Sequence, residues 1–242
     1  EECNEYYENI QSTNRITNRK PNGNKIKRKN EAKIYITENY VQNQKEGKRP
    51  RIAPGNRSYA DATRYGKKIL VIGDSYVRRI ERNVFNNSFR NAKTYLKSYG
   101  GATISNMKYY IIPPLEDQRP DIAVIHIGSN NINYHDLNID PLKVAESIIE
   151  LAEKCIEYDV NDIVISSIMV KKGLRLNAKI REVNDALESL CLLKDFHFIR
   201  NDDVTTEYLE DGGIHLTESG TNIFAGNIVD YINNCIFCED LN

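Results

Sequence analysis

Short apolar runs alternate with longer amphipathic stretches from about residue 67 onward. Ile69-Leu70-Val71-Ile72 is a continuous apolar run closed by Gly73, the pattern of a strand buried on both faces. Residues 94–99 predict a second strand, 121–127 a third closed by Gly128, 161–167 a fourth and 196–199 a short fifth. Between them lie helical patterns. Asp140 followed by Pro141 has the order of an N-cap and first helical residue. Leu142, Ala145, Ile148, Ile149, Ala152 and Ile156 then recur at helical spacing. A second helix carries Ile180, Val183, Leu187, Leu190 and Cys191, and a last one Ile223, Ile228, Val229 and Ile232. Strand and helix in alternation predict an α/β fold of three layers, a parallel sheet with helices on both faces.

Charge divides the chain at the same place. Residues 1–66 carry 14 Lys/Arg and 8 Asp/Glu, whereas residues 67–242 carry 19 and 26. A formal charge of -1 for all 242 residues therefore averages a net +6 leader and a net -7 domain. The leader holds ten Asn and only scattered apolar residues, too few to offset the entropy of ordering its backbone. It reads as a disordered or weakly structured basic segment, with one alternating stretch, 32–37, that could form a strand on docking. Its basic residues between 15 and 33, densest at Lys25-Ile26-Lys27-Arg28-Lys29, are candidates for contact with nucleic acid or for a nuclear address. No run of about 18 apolar residues occurs, so a membrane span is not expected, and the N-terminal residues do not resemble a signal peptide. Five Cys without framework spacing fit reduced thiols in an intracellular compartment, cytoplasmic or nuclear. Cys235-x-x-Cys238 lacks a second ligand pair nearby, so neither a metal nor any other cofactor is expected.

In a parallel α/β sheet the ligand site lies outside the carboxyl ends of the strands. The polar residues there are Asp74-Ser75 after the first strand, Gly100-Gly101 after the second and Ser129-Asn130-Asn131 after the third. His215 precedes the last helix in a Gly-rich turn. A Ser hydroxyl attacks an acyl carbon only when a base takes its proton, and the resulting oxyanion needs donors already aimed at it. Ser75, His215, the Gly101 amide and the Asn130 side chain are residue types suited to these tasks. Taken singly, each has a plainer reading: Asp74 and Ser75 as helix caps, Gly100-Gly101 as a turn, Asn130 and Asn131 as loop-stabilising amides, and His215 as a structural histidine. Arg78, Arg79 and Arg82 are placed on one helix and read as a solvated face, with a phosphate or RNA role left open.

Four ordered blocks, ILVIGDSYVRR, SYGGATISNM, VIHIGSNNI and DGGIHLTESG, resemble the SGNH/GDSL hydrolase superfamily over residues 67–235. The resemblance implies a flavodoxin-like sheet and metal-free hydrolysis of a small acyl ester. It also implies Ser75 as nucleophile, His215 as general base, and an oxyanion hole formed by the Ser75 and Gly101 amides with the Asn130 side chain. Arg78-Arg79 and the basic leader are similar to esterase domains in first-open-reading-frame proteins of some retrotransposons. Two positions depart from the family pattern. Asn131 stands where an Asp is usual, and Gly212 occupies the place of the Asp three residues before the histidine, which leaves Asp211 one residue further away as the candidate third member of a triad. The alternative reading is a catalytically weak or inactive module of the same fold that binds RNA or protein.

Overall fold

The computed structural model describes residues 66–133 and 138–237. The leader as far as residue 65, with its basic stretch and the strand expected at 32–37, lies outside the described residues, as do His135 and Cys238. Two units are distinguished; the described residues up to 229 belong to the first and residues 230–237 to the second. In the second, the described part ends the last helix at Tyr231 and continues as the π turn Ile232–Ile236.

The first unit is built on five strands: β1 (Lys67–Gly73), β2 (Ala92–Ser98), β3 (Ile122–His126), β4 (Asp162–Ser166) and β5 (His197–Ile199). They match the five apolar runs to within a few residues. The order is β2-β1-β3-β4-β5, every pair parallel, which is the flavodoxin-like arrangement. Ile69 to Ile72 and all of β3 are buried. β2 lies at the sheet edge and stays partly exposed along its length, which is why it lacks the continuous apolar signature of β1 and β3.

Among the described residues five α-helices connect the strands and a sixth follows β5: α1 (Arg82–Asn87), α2 (Ile104–Tyr110), α3 (Ile112–Gln118), α4 (Pro141–Glu157), α5 (Leu174–Lys194) and α6 (Glu218–Tyr231). The chain steps one way from β1 to β2 and the other way from β2 through β3, β4 and β5. Right-handed crossovers therefore put α1 on one face and α2 to α5 on the other. Asp140 caps α4 as expected, its carboxylate accepting from Leu142 N at 3.0 Å. The buried stripe of that helix runs through Ala145, Ile148, Ile149, Ala152 and Cys155, while Ile156, placed on the same stripe from sequence, is 55% exposed. Short α1, α2 and α3 were not legible, because six or seven residues carry too few turns to show a period.

The arginines after the first strand are also arranged differently from expectation. Val77–Arg79 form a single 3-10 turn, Ile80 is extended, and Arg82 opens α1. Arg78, Arg79 and Arg82 are therefore not on one helix, and no long helix starts at Ser75 to aim a dipole at that residue.

The register decides where the loops emerge. Gly73 stands level with Ser98 of β2 and with His126 of β3, so the loops after β1, β2 and β3 leave the sheet at nearly one height. The connections after β1 and β3 depart to opposite faces, opening a crevice between those strand ends. Gly73 is required there by close approach: a Cβ would meet the His126 carbonyl oxygen at 2.3 Å and Val77 Cγ2 at 2.7 Å.

Candidate active site

Ser75 lies half-buried in the turn after β1. Its neighbour Asp74 is wholly buried and accepts from Tyr76 N at 3.1 Å, while Ser98 Oγ donates to the Asp74 carbonyl at 2.7 Å. These bonds tie both sides of Ser75 into a closed turn. Burial pushes the Asp74 carboxyl up to about 6, opposed by the Tyr76 amide and by the charge of Lys171.

Gly101 sits on the loop after β2 with φ +75, a left-handed conformation that a side chain would strain. Open space surrounds the position of a Cβ. Asn130, half-buried in the 3-10 turn after β3, donates from Nδ2 to the Ala102 carbonyl at 2.9 Å. This bond uses one of its two amide hydrogens and fastens it to the residue after Gly101. Asn131 accepts from Ile104 N at 3.0 Å, satisfying one of the free donors at the start of α2. An amide oxygen serves this purpose as a carboxylate would, so the Asp-to-Asn departure leaves the support intact.

His215 is held by its backbone. Tyr76 OH donates to the Ile214 carbonyl, and Arg79 donates from Nη1 to the Leu216 carbonyl at 2.9 Å. Arg79 also grips Glu210 with both terminal nitrogens, Nη2 to Oε2 at 3.2 Å, and that hydrogen bonding holds the Glu210 carboxyl below the usual carboxylate range. Glu210 N donates in turn to the His215 carbonyl at 2.8 Å. Residues 76 and 79, one and four places after Ser75, thus hold the carbonyls on either side of His215. The Tyr76 ring meets the His215 ring edge-on, centroids 6.4 Å apart. No hydrogen bond links Ser75 Oγ to the His215 ring, a geometry common before substrate binds.

The third triad member is where the structure departs from expectation. Asp211 is exposed, and His215 Nδ1 is buried without a hydrogen-bond partner among the described residues. The turn does not bring the Asp211 carboxylate to the imidazole. Gly213 N instead donates to the Glu210 carbonyl at 2.7 Å, closing a tight turn that leaves residue 211 at its outer tip.

Further supporting residues escaped sequence reasoning. Lys171 is 8% exposed and donates from Nζ to the carbonyls of Ser129 at 2.6 Å and Ile132 at 3.0 Å, bracketing Asn130 and Asn131. The next residue, Lys172, donates its amide to Gly213 O at 2.9 Å. Lys171 and Lys172 together brace the Asn130 turn and the His215 turn. His126, fully inside β3, contacts Ser166 Oγ through Nδ1 at 3.2 Å and packs against Tyr76 and Phe224. Burial drives its pKa down to about 3, so it is neutral at neutral pH and forms part of the floor. Burial likewise raises Tyr76 to about 12, keeping its hydroxyl a donor. No sequence signal marks these residues, because a lone Lys, Tyr or Arg has no characteristic spacing. Among the described residues, no group of three or more His, Cys, Asp or Glu could hold a metal ion. No helix among them is long and apolar enough to cross a membrane.

Two outcomes follow from this geometry. Arg79→Ala should release the His215 turn, raising amide hydrogen exchange at Glu210 and Gly213 about tenfold, while global stability falls by less than about 1 kcal/mol, since the ion pair is exposed. Exchange measured by NMR checks this. The second concerns pH. A carboxyl whose pKa rises on folding favours the folded state below its ordinary 3.8, and that contribution is lost as pH rises through about 6. His126, depressed from 6.5, has the opposite sign, its contribution being lost as pH falls toward about 3. Asp74→Asn removes only the first effect. The stability of wild type relative to this variant, from urea unfolding, should therefore increase by about 2 kcal/mol between pH 7 and pH 4.

No protein-family model and no curated protein sequence matches the chain. Solved structures do. A lipolytic protein of the G-D-S-L family from Veillonella parvula superposes with TM-score 0.57 at 19% identity, over 69% of this chain and 98% of that one. The aryl esterase of M. smegmatis does so with TM-score 0.58 at 14% identity, over 69% and 99%. A catalytic mutant of an acetylxylan esterase from Geobacillus stearothermophilus gives TM-score 0.58 at 15% identity, over 70% and 94%. The chain has the three-layer α/β fold of the SGNH/GDSL hydrolases.

Proposed function

We propose that this protein is a serine-dependent ester hydrolase acting through Ser75 and His215. The observation that carries the reading is the clasp from the nucleophile turn to the base turn, Tyr76 to the Ile214 carbonyl and Arg79 to the Leu216 carbonyl. It holds a half-buried serine and a histidine on one rim, where Asn130 and Gly101 also emerge. The esterases and acylhydrolases that share the fold support the same reaction class.

In this mechanism His215 Nε2 takes the Ser75 proton as Oγ attacks the acyl carbonyl of a small ester. The Ser75 and Gly101 amides and the second Nδ2 hydrogen of Asn130 receive the oxyanion. Collapse expels the alcohol with the proton returned from His215, and a water activated by the same imidazole releases the acid. With no carboxylate at Nδ1, the imidazolium formed in each step is less stabilised and its tautomer is not enforced. Absence of that carboxylate lowers turnover by about 10⁴ in a serine protease triad, so a slow enzyme is expected. The same vacancy at Nδ1 favours a second reading, a hydrolase-derived binding module whose chemistry has faded.

Two variants separate these readings. Ser75→Ala should abolish hydrolysis of p-nitrophenyl acetate; equal rates in variant and wild type would overturn the proposal. Gly212→Asp places a carboxylate three residues before His215 at a site where a Cβ meets nothing within 4 Å. It should raise kcat at least about tenfold with KM little changed, as expected for an interaction made in the transition state. Activity that appears only in Gly212→Asp would favour the faded module.

A further inference from the structure

A groove of about 520 Å³ runs beside the rim, between the chain that follows Ser75 and the carboxyl end of β2. Val77 and Ile80, both buried, give it an apolar lining, and Arg78 and Arg82 stand on the same wall. Lys97 and Tyr99 line the β2 side. Arg79, which lies between the two arginines in sequence, is engaged by Glu210. Arg78, Arg82 and Lys97 make no ion pair among the described residues, and Arg78 and Arg82 are exposed. The one carboxylate in the groove, Glu81, accepts the Asn83 amide at 3.2 Å as the cap of α1. Three cations thus face one carboxylate in a cleft of a domain that carries 19 basic against 26 acidic residues. A cleft of one sign concentrates counter-charged ligands.

Both walls of the groove adjoin the segment that carries the candidate serine. Val77 and Arg78 are two and three residues after Ser75, and Tyr99 is two residues before Gly101. Tyr99 N donates to the Gly73 carbonyl at 2.9 Å, so the end of the β2 wall is bonded to the segment that carries the serine. Ser98, in the groove lining, donates from Oγ to the carbonyl of Asp74, the residue before Ser75, at 2.7 Å.

We propose that the groove is an anion subsite. It receives the carboxylate or phosphate of an ester whose acyl carbonyl is presented to Ser75, with Arg78 and Arg82 supplying charge-assisted hydrogen bonds. This rests on the hydrolase reading and narrows its substrate class to esters that carry a negative charge a few atoms from the scissile bond.

The test compares p-nitrophenyl butyrate with mono-p-nitrophenyl succinate, acyl groups of equal carbon count that differ in a terminal carboxylate. Wild type should prefer the succinate ester. The double variant Arg78→Gln, Arg82→Gln should lose that preference by about tenfold or more, chiefly through KM, while kcat/KM for the butyrate ester stays within about twofold. Ionic strength near 1 M, where the Debye length is about 3 Å, should erode the wild-type preference in the same direction. An unchanged ratio, or an equal loss on both esters, overturns the subsite. Should wild type hydrolyse neither ester, the hydrolase reading fails on its own, and inorganic phosphate decides the groove. Saturable shifts of the Lys97 and Tyr99 backbone amide resonances on titration, abolished in the double variant, support it; the absence of saturable binding overturns it.

Discussion

Gly73 is level with Ser98 on one side and His126 on the other, and the candidate site depends on that register. Side chains in a strand alternate with period two, so a slip of one residue would exchange the side chains that β1 packs against its two helix layers. The apolar positions of β1 and β3 therefore hold the strand ends at one height, and the loops carrying Ser75, Gly101 and Asn130 inherit it. Gly73 is tied to this level because its Cα lies too near the His126 carbonyl to bear a side chain.

Around that rim the chain supports its reactive groups by their neighbours' carbonyls. Lys171 holds the carbonyls of Ser129 and Ile132, and Tyr76 and Arg79 hold those of Ile214 and Leu216. Backbone clasps of this kind fix where a side chain starts and leave its tip free. For Asn130 this suffices, because its own amide is bonded to Ala102. For His215 it places the ring but leaves Nδ1 without a partner, the feature from which low turnover is argued.

Burial of ionisable groups beneath the rim carries a further consequence. Asp74, Lys171 and His126 lie under the loops with little access to water, each shifted toward its neutral form by desolvation. The Asp74 carboxyl and the Lys171 ammonium attract one another through the interior, a partial offset to the cost of removing two charges from water. The floor of the site is thereby coupled across β1 and the loop after β4, elements far apart in sequence.

The sequence by itself determined the strands, the long helices and the order of the polar residues at the strand ends, because period and apolar run length are local properties of a chain. The placement of Ser75, Gly101, Asn130 and His215 at the ends of elements was legible in the same way, each following or preceding an element that could be read. The tertiary structure alone decided what holds them. Arg79 read as a solvated cation and proved to be the clasp on the His215 turn, while Lys171 and Lys172, which no pattern marked, proved to be a brace. Asp211 read as a triad member and stands at the exposed tip of its turn. In each case the deciding quantity was a distance between residues up to 137 positions apart, and such distances are set by packing, which no local pattern records.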